Sequence, residues 1–273
     1  MVNVSVLSQN PAAVNCGIIT GSNASLIVDS GPGPSAAKQL AARAQQLSLE
    51  ATGRVNPLAA VITHDHWDHF FGNATLAAAG AETFHGSQSF AGDQEASAWI
   101  ALDAVRNAPE TAEFAAELPE DPGDLLVDVS PVDAPGADSG IDLGECRVEF
   151  HVLGGHSTAD LVVRLIDQGI VFAGDLIEEG DPPQAGNDAS LSEWVTSLHT
   201  LLSFSEATVF VPGHGVPVDR EFVERQLADL EGLRVNQADA EAALPARVMP
   251  GDHDRTLPAN GSSSLSVQSG DEV

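Results

Sequence analysis

The run VITHDHWDHFFGN, Val61 to Asn73, restricts the fold of this chain more than any other segment. After a short apolar stretch it sets three imidazoles and two carboxylates within the six residues His64 to His69. His64 and His66 lie two apart, so in an extended segment their side chains point the same way. Asp68 and His69 come where the chain turns toward a helix, and they can face a different point. Such a cluster cannot complete and orient a centre alone, so the fold has to return further donors to it.

Further donors do recur, each at the end of a strand-like run. His156 closes VEFHVLGGH, Asp175 closes IVFAGD and His214 closes VFVPGH. Each follows a β-branched or aromatic stretch and is immediately preceded by glycine, which is small enough to let the backbone bring a donor close to a shared point. Strands that end in His or Asp at one rim describe a convergent site. Taken alone, the H-x-H-x-D-H run also suits a polar loop or a structural metal clip; the three downstream donors weigh against both. His85, His151, His199 and His253 lack such context and read as packing, surface or tail residues. Trp67, Phe70 and Phe71 flank the cluster and suit either a pocket wall or the core. Asp65 and Asp160 read as solvated carboxylates or supports for a ligand, with Asp160 the better placed to orient one.

The N-terminal VNVSVLS alternates, CGIITG follows, and SLIVDSG runs apolar to Asp29 until Gly-Pro-Gly-Pro stops it. Ser35 is placed to cap a helix over AAKQLAARAQQLSLE. The strand PLAAVITH leads into the histidine cluster, and ATLAAAG is helical. The polar, Ala-rich stretch from Ser87 to Leu118 is helical too, and sits where a lid or pocket wall could be inserted. Residues 117–142 read as loop around one strand, LLVDVSPV. Strands return as CRVEFHVLGG, DLVVRLID and GIVFAGD. A helix around LSEWVTSLHTLL, the strand ATVFVPG and a long amphipathic helix from Asp219 to Ala242 complete the pattern. That order suits two sheets covered by helices. It is expected to form one domain over residues 1–246, followed by a polar, Ser/Gly-rich tail, 247–273, whose composition predicts disorder.

With 273 residues, 43% of them hydrophobic, the chain has ample material for a core, and no apolar run is long enough to span a bilayer. The start, MVNVSVLSQNPAAVNCG, has no basic segment leading into an apolar one, so the expected location is cytoplasmic. Cys16 and Cys146 are too few and too far apart for a disulfide framework or a cysteine zinc site, and read as buried thiols. Forty acidic against 11 basic residues give a net charge of −29. Such a surface repels phosphate backbones and anionic membranes, so the expected partner is a small-molecule substrate, with no nucleic acid and no membrane.

Together these motifs resemble the metallo-β-lactamase superfamily, whose signature is H-x-H-x-D-H followed by distant His, Asp and His. The resemblance covers roughly Val4 to Leu230 and fills every ligand position of the signature. It implies an α+β fold, an αββα sandwich of two mixed β-sheets flanked by helices, with the site on the rim between the sheets. It implies that His64, His66 and His156 bind one metal ion, that Asp68, His69 and His214 bind a second, and that Asp175 bridges both. SLIVDSG resembles the family's early strand ending in Asp-x-Gly, which makes Asp29 a support for a ligand rather than a ligand. The expected cofactors are two Zn²⁺, although Mn and Fe share such N/O donors. Asp68 is the expected catalytic residue, both ligating metal and orienting the attacking hydroxide.

Neutral imidazoles and carboxylates bind zinc at about 2.0–2.2 Å, and two ions ~3.5–4 Å apart can share a hydroxide formed from water whose pKa falls toward ~7. The resemblance therefore implies a metal-dependent hydrolase with a binuclear site, acting on a small ester, thioester, lactone or lactam. The chain has no tyrosine, so the tyrosine-assisted lactone chemistry of some relatives cannot operate in that form. The second donor set contains no cysteine, unlike relatives with Asp-Cys-His, and resembles the glyoxalase II pattern instead. Residues 178–188, EEGDPPQAGND, read as a loop beside the site whose acids disfavour strongly anionic substrates. Two other readings stand beside the hydrolase: a mononuclear iron enzyme of the persulfide dioxygenase type, and a metal-binding protein without catalysis. The complete donor set speaks against both.

Overall fold

The computed structural model describes residues 2–132, 139–235 and 265–269. The first half opens with strands β1 (Asn3–Gln9), β2 (Val14–Thr20) and β3 (Ser25–Val28), then helix α1 (Pro34–Thr52) and strand β4 (Leu58–Val61). Two short helices, α2 (Trp67–Phe70) and α3 (Asn73–Ala78), precede β5 (Ala81–Ser87), helix α4 (Gln88–Asn107), the single turn α5 (Ala112–Ala115) and β6 (Ser130–Val132). The second half contains β7 (Gly140–Asp142), β8 (Arg147–Val152), β9 (Leu161–Leu165), β10 (Ile170–Glu178), α6 (Leu191–Ser203), β11 (Val209–His214) and α7 (Arg220–Val235). Strand β12 (Leu265–Ser269) comes last.

Period-two alternation sorts the strand side chains into layers. Ile27, Ala60 and Ile62 join Leu40 of α1, Leu76 of α3 and Phe90 of α4 in one apolar cluster. Their neighbours Leu26, Val28 and Val61 point the other way and meet Phe150, Val163, Phe172 and Val211 from the second half. On the far side, Val171, Ala173 and Phe210 pack against Trp194 and Leu198 of α6 and Phe222 of α7. Three apolar layers between four structural layers make an αββα sandwich, the α+β fold that the resemblance implies. The two halves are also joined edge to edge, through the pairing of His214 with Val14 that hooks β11 onto β2.

Strand direction is what positions the site. Strands β3, β4 and β5 are parallel neighbours, and so are β10 and β11. Asp29 and the run Thr63 to His69 follow the C-terminal ends of β3 and β4. Asp175 lies in β10 where its pairing with β11 shifts register, and His214 ends β11. Parallel pairing therefore delivers these side chains to one rim of the sandwich, where open sheets with parallel strands usually bind ligands.

Several elements differ from the sequence expectations. Helix α1 starts one residue before Ser35, at Pro34, and its N-cap is Gly33. Proline suits the first helical position because its φ is preset and no N–H is needed there. Ser35 instead uses its hydroxyl and its N–H on Glu117. The strand expected over 125–132 is confined to Ser130–Val132. Helix α7 begins after Asp219, whose carboxylate caps it by accepting the Phe222 N–H at 2.9 Å; residues 236–242 of the expected helix lie outside the described residues. Within the tail expected to be disordered, Leu265–Ser269 forms β12, parallel to β1. Its alternation explains this: Leu265 is fully buried between the sheets, and the hydroxyls of Ser266 and Ser5 are 2.9 Å apart. The rest of residues 247–273 lies outside the described residues.

Leu265→Ala should lower the unfolding free energy by about 2–4 kcal/mol in urea titrations, because it removes a buried side chain from a packed layer. Cys16 and Cys146 are buried, and burial raises both thiols above their ordinary value, Cys146 to about 12. Neither should therefore react with Ellman's reagent at pH 8 in the native protein, and both should react in guanidinium.

Candidate metal centre

The rim collects all seven residues of the expected ligand set into two adjoining groups whose donor atoms lie within 4.8 Å of one another in each group. One contains His64, His66, His156 and Asp175, and the other Asp68, His69 and His214. Asp175 lies between them. Its Oδ2 is 3.7 Å from His64 Nε2 and 3.5 Å from His156 Nε2, and 3.6 Å from His214 Nε2, while its Oδ1 is 3.2 Å from His69 Nε2. Asp68 Oδ2 lies 3.3 Å from His214 Nε2 and 3.8 Å from His69 Nε2.

The outward-facing nitrogens decide which way the inward ones point their lone pairs. Asp29 Oδ1 accepts the Thr63 N–H at 2.8 Å, and Oδ2 accepts the Thr63 hydroxyl at 2.9 Å and His69 Nδ1–H at 2.9 Å. The Thr63 oxygen in turn faces His64 Nδ1 at 3.1 Å. His214 Nδ1 faces the Ala12 carbonyl at 3.1 Å, and His66 Nε2 faces Asp188 Oδ2 at 3.1 Å. An imidazole that donates from one ring nitrogen presents a bare lone pair at the other. Four rings are thereby held as donors aimed inward, the arrangement that supporting hydrogen bonds produce around bound metals. His64 Nε2 and His69 Nε2 are buried and have no hydrogen-bond partner. A set of imidazole nitrogens and carboxylates of this kind fits zinc or a similar divalent ion.

Electrostatics separates the imidazoles into two kinds. Burial lowers His64 well below the ordinary histidine value, and lowers His156 to about 4. Burial opposes protonation of His69 and His214 as well, but Asp175 and Asp68 outweigh it. Those carboxylates raise His69 well above the ordinary value and His214 to about 11. Burial alone would also raise Asp175, yet His69, His214 and His64 hold it well below the usual carboxylate range. Glu178, buried beside Asp175, is pushed up to about 8, by burial first and by that neighbour second.

The backbone around the donors leaves little room for substitution. His156 sits in a turn held by Asp160, which accepts the N–H groups of His156 and Ser157 at 2.9 Å and the Ser157 hydroxyl at 2.8 Å. Asp160 therefore orients the loop rather than the imidazole. Gly155, with φ 135°, lies so close to the Trp194 backbone that a side chain would overlap it. A methyl group on Gly213 would overlap the Asp175 carboxylate.

The remaining sequence candidates separate cleanly. Phe70 and Phe71 are core residues, whereas Trp67 lines the cavity in front of the donors. Asp65 accepts the Ser97 hydroxyl at 2.6 Å and so ties the cluster to α4. His85 packs on Phe150, His151 faces Glu149 at 3.2 Å, and His199 faces Glu231 at 3.2 Å on the surface. His253 lies outside the described residues. The helical stretch from Ser87 to Leu118 contributes no residue to the cavity wall; its nearest involvement is the Phe114 ring, 5.5 Å from that of Trp67. The wall comes instead from residues 178–188, as the sequence suggested. Sequence reasoning missed Asp188 as the partner of His66, Thr63 as the relay to His64 and the Ala12 carbonyl behind His214. No local signal marks these contacts, since Asp188 lies 122 residues from His66 and Ala12 lies 202 from His214.

Comparison with known proteins agrees with this geometry. The sequence profile of the Metallo-beta-lactamase superfamily matches residues 10–214, and the chain belongs to that superfamily. It is 32% identical over 78 residues to a Metallo-beta-lactamase type 2 from Bacteroides fragilis. That match spans 28% of this chain and 31% of the relative's length. Among solved structures, a metallo-beta-lactamase family protein from Thermus thermophilus superposes with a TM-score of 0.60 at 22% identity, covering 85% of this chain and 79% of that one. The metallo-beta-lactamase FIM-1 from Pseudomonas aeruginosa, in its mono-zinc form, superposes with a TM-score of 0.58 at 20% identity, covering 85% and 91%. No helix among the described residues is long and apolar enough to cross a membrane.

Removing the support behind a donor should loosen metal binding without abolishing it. Asp188→Ala is expected to weaken metal affinity about 10- to 100-fold in competition with a chromophoric chelator. Because Asp175 and Asp68 favour protonated His69 and His214, metal uptake near pH 7 must expel protons from these rings. Affinity should therefore rise with pH, and calorimetry in buffers of different ionisation enthalpy should register proton release.

Proposed function

We propose that this protein is a dinuclear-metal hydrolase, with zinc as its metal, acting on a small ester, thioester, lactone or lactam. The observation that supports the reading best is the placement of Asp175 between two donor groups in which the outer ring nitrogens of His64, His66, His69 and His214 each face an oxygen acceptor. His64, His66 and His156 would hold one ion, Asp68, His69 and His214 the other, and Asp175 would serve both. When bound, such ions polarise the substrate carbonyl and lower the pKa of water toward ~7, giving a nucleophile at neutral pH.

The chain's own residues supply the rest. The donors open into a cavity of about 800 Å³, a volume suited to a small organic substrate. Among the described residues lining it there is no serine, threonine, cysteine, lysine or tyrosine. With no hydroxyl, thiol or amine side chain to attack, water is the nucleophile that the cavity favours. Asp68 is nearly buried, borders the cavity and sits against His214, so its carboxylate can accept a proton from the attacking water and orient it. Trp67 and the segment from Glu178 to Asp188 wall the cavity and limit access of bulk water.

Metal analysis of protein purified without added metal or chelator should give close to two zinc per chain, and the loaded protein should hydrolyse members of a thioester, lactone and lactam panel. Asp68→Ala and His214→Ala should each reduce kcat at least ~10³-fold and lower metal content while the far-ultraviolet circular dichroism stays unchanged. Full activity in either variant would sink the assignment. About one iron per chain would shift the chemistry from hydrolysis to oxygen activation.

A further inference from the structure

Asp175 stands in a part of β10 that the sheet does not hold. Gly174 pairs with Pro212 and Glu178 with His214, so β10 runs from 174 to 178 while β11 runs only from 212 to 214. On the other side, the pairing of β10 with β9 ends at Phe172. Asp175, Leu176 and Ile177 therefore have no register partner in either neighbouring strand. Such a bulge re-aims a side chain, and it also interrupts the ladder that would fix it. Yet the Asp175 carboxylate must meet four imidazole nitrogens, which lie 3.2 to 3.7 Å from it. Its backbone has to be held by something other than the sheet.

Two side chains from the covering helices do this. Helix α7 buries Phe222, Val223, Leu227 and Leu230, at the three-to-four-residue spacing of an apolar stripe. Gln226 sits on the same stripe, where that spacing calls for an apolar residue, and is 1% exposed. A buried carboxamide is destabilising unless it is hydrogen-bonded. Here both ends meet one short piece of β10: Nε2 donates to the Leu176 carbonyl at 2.8 Å, and Oε1 accepts the Glu178 N–H at 3.4 Å. From α6, the fully buried Trp194 donates its indole N–H to the same Leu176 carbonyl at 2.9 Å. Two donors use both lone pairs of that oxygen and fix the chain one residue beyond Asp175. On the β11 side there is no slack, since a methyl group on Gly213 would overlap the Asp175 carboxylate.

We propose that Gln226, together with Trp194, is a positioning residue: by holding the Leu176 carbonyl it sets the place of Asp175 between the two donor groups, and so the capacity of the centre to hold two ions at once. The proposal rests on the reading of Asp175 as a ligand shared by both ions. Gln226 does not line the cavity, so it acts through β10 rather than on a substrate.

The test compares full-length wild type, Gln226→Met and Leu230→Ala by zinc titration against a chromophoric chelator. Gln226→Met keeps the length of the side chain but removes both hydrogen bonds, whereas Leu230→Ala removes only apolar packing from the same stripe. Both should lose stability in urea, so stability alone does not separate them. Gln226→Met should weaken zinc binding about 10- to 100-fold and lower the stoichiometry from two ions toward one. It should also shift the visible absorption bands of the cobalt-loaded protein. Leu230→Ala should keep the wild-type affinity, stoichiometry and cobalt bands. Wild-type binding and bands in Gln226→Met, or equal weakening in Leu230→Ala, would overturn the proposal. If Gln226→Met does not fold, Trp194→Phe removes the second donor to the same carbonyl and is read in its place with the same expectations. A wild-type protein that holds one ion or none would count against the dinuclear reading instead. Crystal structures of metal-free wild type and Gln226→Met then decide the positioning separately: a displaced Leu176 carbonyl and Asp175 carboxylate support it, and superposing ones overturn it.

Discussion

The buried carboxylate of Asp29 is the contact on which the rest of the centre depends. It stands immediately after β3 with φ 62°, a left-handed conformation that aspartate tolerates better than most residues. From there one side chain takes the Thr63 N–H, the Thr63 hydroxyl and His69 Nδ1. Because the Thr63 hydroxyl is committed as a donor, its oxygen is free to accept from His64 Nδ1. One carboxylate therefore orients an imidazole in each of the two donor groups. It also locks the end of β3 to the chain leaving β4, so the rim and the centre are built by the same interaction.

A second constraint is the density of negative charge that this arrangement concentrates. Asp68, Asp175 and Glu178 are all nearly buried within one rim. Carboxylates in such surroundings need compensating positive charge. Asp175 and Asp68 favour the protonated forms of His69 and His214, and divalent ions would displace those protons. Metal binding, protonation and the stability of this rim are therefore linked quantities.

The layers carry the centre in a specific way. The donor run from His64 to His69 is anchored by Phe70 and Phe71 in the core between sheet and helices. The donor His156 packs on Trp194, whose indole N–H donates to the Leu176 carbonyl at 2.9 Å, beyond Asp175 in β10. His214 ends the strand whose single pairing with Val14 joins the halves. Donors from both halves thus meet where β11 pairs with β2 at the edges of the two sheets, and movement of either half would change the distances between the groups.

Much of this could be read along the chain. The clustered H-x-H-x-D-H run, the glycine-preceded His156, Asp175 and His214 at strand ends, and the alternating strands are local patterns set by side-chain period and backbone size. They determined the layered α+β architecture and the seven residues that gather at the rim. What the tertiary structure alone decided are the contacts between distant segments: Asp188 on His66, the Ala12 carbonyl on His214, Asp160 on the His156 loop backbone, and β12 added beside β1. The physical reason is the same in each case. A period or a glycine acts within a few residues, whereas a hydrogen bond to an outward-facing ring nitrogen depends on which acceptor the packed layers happen to bring within about 3 Å, and no local pattern encodes that distance.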